Sequence, residues 1–158
     1  SVARGLEFAS MDQRLRRLSE HLRSKRRVVE FSPMAVDPDL LPHLFVLDVE
    51  PCLDLVRLKI RLAGTALDQA FQRPLHGHYL EDFIHGPRGA DVVESFHHCA
   101  TSRQSVWMRQ VVRIRDRLPR FVEGVAFYLE PDRVYGGLVV GELPTDVSEG
   151  SFESHPVY

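Results

Sequence analysis

The chain has 158 residues, is 44% apolar and 27% charged, and carries a formal net charge of −2. That length fits one domain with a core large enough to fold without a metal or a disulfide. The near-neutral balance speaks against an electrostatic footprint for nucleic acid over the whole molecule, and no stretch approaches the roughly 18 apolar residues of a membrane span.

The opening residues, Ser1–Ser10, include Arg4 and Glu7 and no apolar run, unlike a secretory signal. Met11, Leu15, Leu18 and Leu22 then recur at helical spacing, which predicts a helix over Ser10–Lys25 with one narrow apolar stripe. Ser10 and Gln13 read as its capping box. Lys25-Arg26-Arg27 closes it, and Pro33, Pro38 and Pro42 make 28–43 a connector.

The period changes next. Leu44–Glu50 is a short apolar strand, and Pro51-Cys52-Leu53-Asp54 is a turn. Leu55–Leu62 alternates, with Val56, Leu58, Ile60 and Leu62 on one face and Arg57, Lys59 and Arg61 on the other. The two runs form a hairpin. Short helices are expected at Thr65–Phe71 and Tyr79–Ile84, and a longer one from Pro87 to Arg103.

Three strands are expected after that. Val106–Arg115 places Val106, Met108, Val112 and Ile114 on one parity, with Trp107, Arg109, Val111 and Arg113 on the other. Phe121–Leu129 places Phe121, Val125, Phe127 and Leu129 on one face, leaving Val122 and Tyr128 opposite, and Tyr135–Leu143 closes the sheet. The tail from Pro144 is polar and reads as mobile. The chain therefore divides into an N-terminal amphipathic helix at 1–27, an α+β domain at 28–143 and a tail at 144–158. The domain is expected to be a five-stranded antiparallel sheet with connecting helices on one face and the N-terminal helix as cover for the other.

This element order resembles the PAS fold. Within it the chain is similar to the stand-alone PAS-like domains of alphaproteobacteria, the PAS-5 family. The likeness rests on Leu41-Pro42-His43-Leu44-Phe45-Val46-Leu47-Asp48-Val49-Glu50, on Arg61-Leu62-Ala63-Gly64-Thr65-Ala66-Leu67 and on Phe71-Gln72-Arg73-Pro74-Leu75-His76-Gly77-His78-Tyr79-Leu80. Tyr135-Gly136-Gly137-Leu138 extends it, so that it covers roughly Val28 to Leu143. Members usually carry glycine where this chain has Gln72. The resemblance implies a bacterial sensory or regulatory module without catalytic activity, acting in signalling. Some such domains hold haem, flavin or a small organic molecule between helices and sheet.

A cavity there would be walled by Leu58, Ile60, Phe71, Tyr79, Phe83, Phe96, Met108, Val112, Val125 and Phe127, with Tyr79 as the polar handle. The same spacings also suit a filled core. His97 and His98 lie where a haem PAS domain supplies its axial ligand, but a partly exposed helix histidine is the simpler reading. No flavin-type cysteine motif is present, Cys99 reads as a small buried hydrophobe, and the cofactor stays unknown. The two cysteines have neither metal-ligand nor disulfide spacing. They suit a reducing cytoplasm.

Met11, Leu15, Leu18 and Leu22, together with Trp107 and Val111, are expected to form a homodimer interface. The basic runs at Lys25-Arg26-Arg27 and at Arg109, Arg113 and Arg115 read as solvated faces and not as nucleic-acid sites. No nucleophile–base pair, paired carboxylates or phosphate loop stands out. The partners expected are a second copy, a signalling protein and a small organic ligand. A ligand-free interaction scaffold is the alternative, and a small α+β isomerase-like enzyme is disfavoured because a hairpin precedes the helices.

Overall fold

A computed structural model of the chain describes residues 11–83, 89–113, 119–143 and 152–157. Helix α1 (Gln13–Leu22) is capped by Asp12, whose carboxylate accepts the Arg14 amide N–H at 2.8 Å. The cap predicted at Ser10 lies outside the described residues. Three single 3-10 turns, Val28–Glu30, Pro33–Ala35 and Leu41–His43, carry the connector.

Strands β1 (Leu44–Cys52) and β2 (Leu55–Ala63) form the hairpin, and helices α2 (Thr65–Phe71), α3 (Leu80–Phe83) and α4 (Gly89–Ser102) follow. Strands β3 (Val106–Arg113), β4 (Pro119–Leu129), β5 (Arg133–Glu142) and β6 (Phe152–Pro156) complete one sheet in the order β2-β1-β5-β4-β3-β6. All of its pairings are antiparallel. The fold is α+β, and no helix among the described residues is long and apolar enough to cross a membrane.

The sixth strand corrects the expectation of a mobile tail for Phe152–Pro156; residues 144–151 lie outside the described residues. Phe152–Pro156 pairs along β3, from Val106↔Pro156 to Gln110↔Phe152. Its sequence is polar, so apolar alternation does not announce it. It exists because β3 would otherwise present a row of unpaired N–H and C=O groups.

The sheet is covered on both sides. Helices α2, α3 and α4 pack on one face over Phe45, Leu47, Leu58, Ile60, Met108 and Leu138. Helix α1 and the connector pack on the other, over Leu44, Val46, Trp107, Val125 and Tyr135. Gly137 permits the second contact: a Cβ there would lie 2.5 Å from Leu18 Cδ2.

Two face assignments change. Leu62 packs in the α1 layer while Leu58 and Ile60 pack in the opposite one. The cause is a break in register, with Val46 opposite Leu62 but Leu47 opposite Ile60, so that Arg61 is the extra residue of a bulge. In β4, Val125, Phe127 and Leu129 face α1, while Val122, Ala126 and Tyr128 face the other helices. A strand buried on both faces carries apolar residues at both parities, so its pattern does not say which face is which.

The six residues expected at a dimer interface are interior. Met11, Leu15, Leu18, Leu22, Trp107 and Val111 are each at most 4% exposed within the single chain. The stripe of α1 is matched by the sheet's own outer face, so it is not available for a second copy.

Candidate functional site

Eleven side chains line a cavity of about 30 Å³ between the helix layer and the sheet. They are Phe45 and Leu47 from β1, Ile60 and Ala63 from β2, Leu67 and Phe71 from α2, Leu75 from the following loop, Leu80 and Phe83 from α3, Phe96 from α4 and Leu138 from β5. All are apolar, so among the described residues none of these side chains offers a bound molecule a hydrogen bond. A space of this size is above the minimum that holds a water, but an apolar wall of this kind stays dry.

Of the residues predicted for a cavity, Ile60, Phe71, Phe83 and Phe96 line it. Leu58 and Met108 belong to the same core without reaching the cavity, and Val112 packs at that core's margin. Val125 and Phe127 face the opposite layer, for the reason given for β4. Tyr79 is not a handle into the cavity: its hydroxyl donates outward to Glu50 Oε1 at 2.6 Å, and the Arg57 guanidinium lies 3.8 Å from its ring centroid. The sequence reading missed seven lining residues, among them Phe45, Leu47, Leu67 and Leu75. Two had a signal: Leu67 is one helical turn before Phe71, and Leu47 shares a parity with Phe45.

The wall at α3 has a distinct chemistry. Leu80 and Phe83 turn inward, while Glu81 lies between two other elements. The Glu81 carboxylate accepts the Leu58 amide N–H at 3.1 and 3.3 Å. Its Oε2 stands 2.5 Å from His97 Nε2 on α4. Burial pushes the Glu81 carboxyl up, but the hydrogen bonds from His97 and Leu58 outweigh it and hold the group below the usual glutamate range. Ile60 extends the attachment: its N–H donates to His78 O and its carbonyl accepts from Gly77 N, both at 2.7 Å. Together these contacts pair three backbone groups on the outer edge of β2.

The other chemically suggestive groups are accounted for locally. His97 is held by Glu81, and His98 Nε2 meets Gln104 Oε1 at 3.3 Å. Cys99 is fully buried, and burial pushes its thiol up to about 12, which suits a core side chain and not a nucleophile. Asp48 accepts from Arg61 and Arg133. Arg109 pairs with Glu153 at 2.8 Å and lies over Trp107; the Arg113 side chain and Arg115 fall outside the described residues. Among the described residues no group of three or more His, Cys, Asp or Glu is placed to hold a metal ion. No protein-family model matches the chain, and no curated protein matches it.

Proposed function

We propose that the chain is a regulatory module of the PAS type, without catalytic activity, that takes a small apolar ligand between its helices and its sheet and acts through a signalling partner in the cytoplasm. One observation carries this reading: every described side chain that lines the cavity is apolar, at the place where the resemblance puts a ligand. The hairpin, the three connecting helices and the strands that follow support it, because they are the element order on which that resemblance rests. The ligand class follows from the wall. A molecule with hydrogen-bonding groups would lose its bonds to water there and regain none.

The output would be a population shift. A ligand that prefers one packing of the helix layer changes which surface is offered to a partner. The cavity volume of about 30 Å³ favours a second reading, a ligand-free interaction scaffold. Drug-sized sites run to roughly 300 Å³ and above, an order of magnitude larger. Native mass spectrometry of freshly purified protein separates the two. A bound small non-protein mass that organic extraction recovers is the expected result. A clean apo mass from several independent preparations would leave only the scaffold.

A further inference from the structure

We propose that α3 is the gate of the cavity and that the Glu81–His97 pair is its latch. This rests on the reading of the cavity as a ligand site. At about 30 Å³ the cavity admits little more than a water, so an organic ligand fits only if a wall moves. The question is which wall.

Of the three strands in the wall, β1 and β5 are paired on both sides, and the edge strand β2 is laddered to β1 along its whole length. Helix α4 spans fourteen residues and buries Val92, Phe96, Cys99 and Ala100. Helix α3 has four residues, a single turn. One turn of helix has no stability of its own, because nucleation is unfavourable, so its position depends on what ties it down.

The chain leading into α3 is held by Gly77, His78 and Tyr79, and the part-buried polar tie of the turn itself is Glu81. It joins α3 to the edge of β2 through the Leu58 amide and to α4 through His97. The neighbouring Asp82–Arg57 pair, at 3.6 Å with side chains 63% and 40% exposed, is the kind of surface pair that contributes little. Phe83 lines the cavity yet is only partly buried, and among the described residues its ring meets Phe71, His78 and Arg73. Breaking the Glu81 contacts frees the turn that carries both Leu80 and Phe83, and the space behind them enlarges. A pocket of this kind is a minor state that a ligand makes dominant.

The test uses benzene as an apolar probe and the full chain. Leucine-methyl NMR follows Leu67, Leu75 and Leu80, and native-state hydrogen exchange follows the Leu58 and Val125 amides. Replacing His97→Ala should accelerate exchange at Leu58 on the order of tenfold, the loss expected of one charge-assisted hydrogen bond. Val125, in the opposite layer, should be unmoved. Benzene should shift the cavity methyls at a several-fold lower concentration than in the parent, and His97→Gln, which restores a donor, should reverse part of both effects.

Unchanged Leu58 exchange and an unchanged benzene dependence in His97→Ala would overturn the latch. So would equal acceleration at Leu58 and Val125, the mark of general destabilisation. If Leu58 exchange responds as expected but benzene shifts no cavity methyl in any variant, the latch stands and the ligand reading falls.

Discussion

The indole Nε1–H of Trp107 donates to Glu123 Oε2 at 2.9 Å, between neighbouring strands and beneath the start of α1. The same oxygen accepts the amide N–H of Asp12, the cap of α1, also at 2.9 Å. Glu123 is 6% exposed. One buried carboxylate therefore joins β3, β4 and the N-terminal helix.

Burial pushes the Glu123 carboxyl up, against the hydrogen bonds from Asp12 and Trp107. Its folded value thus lies above its unfolded one, near 4.3. The stability it contributes is fully present below that value and is lost as pH rises through the folded one. Glu123→Gln keeps an acceptor without the charge. It should match or exceed the parent's stability at pH 7 and show a flatter dependence from the unfolded value of about 4.3 up to pH 7. Glu123→Ala leaves two buried donors unpaired and should lose about 2–4 kcal/mol. Urea unfolding across that range measures both, and an equal loss in the two variants would contradict this account.

His155 titrates in the opposite sense. It is 4% exposed, its ring lies against Trp107, and its Nε2 has no hydrogen-bond partner. Burial holds the imidazole below the usual histidine range. Its contribution is present above about pH 6.5 and falls away as pH drops through that unfolded value towards the folded one. His43, half-buried beside Arg14, is lowered too. His155→Phe should therefore reduce the acid loss without abolishing it. The fluorescence of Trp107, the single tryptophan, reports the transition. An acid limb identical to the parent's would show that His155 is not a source of it.

The glycines of β5 separate by what surrounds them. A Cβ on Gly136 would lie 2.0 Å from the Val125 carbonyl oxygen and 2.6 Å from Phe45 Cζ, so β4 and β5 would have to part. A Cβ on Gly141 meets nothing within 4 Å. Gly136→Ala should cost about 3 kcal/mol or more, and Gly141→Ala should stay within about 0.5 kcal/mol of the parent. Thermal unfolding of the pair decides it, and similar midpoints would count against this packing.

Gln72 ends α2 with φ 59° and ψ 33°, in the left-handed region, where glycine pays no steric penalty. Gln72→Gly should raise stability by up to about 1 kcal/mol, set by relief of that strain against the greater freedom of glycine in the unfolded chain. A clear loss on denaturant unfolding would mean that the side chain makes a contribution of its own.

What the sequence determined by itself is local. The 3.6-residue stripe of Met11, Leu15, Leu18 and Leu22 made a helix and told which side it buries. The charged residues Arg57, Lys59 and Arg61 between apolar ones made a strand, and the prolines held the connector apart. Four of the cavity's lining residues were legible on the same basis. Tertiary structure decided what depends on distant partners. Nothing in the α1 stripe says whether a sheet or a second copy covers it; the outer face of the chain's own sheet does. In β4 both parities are apolar, so only the pairing Trp107↔Val125 fixes which side faces which layer. The bulge at Arg61 turns Leu62 away from Ile60, and Phe152–Pro156 becomes a strand because β3 has an edge to fill. Periodicity records which residues are buried, because burial follows from the side chain's own affinity for water. It does not record against what, because that is settled by backbone pairing between residues far apart in the chain.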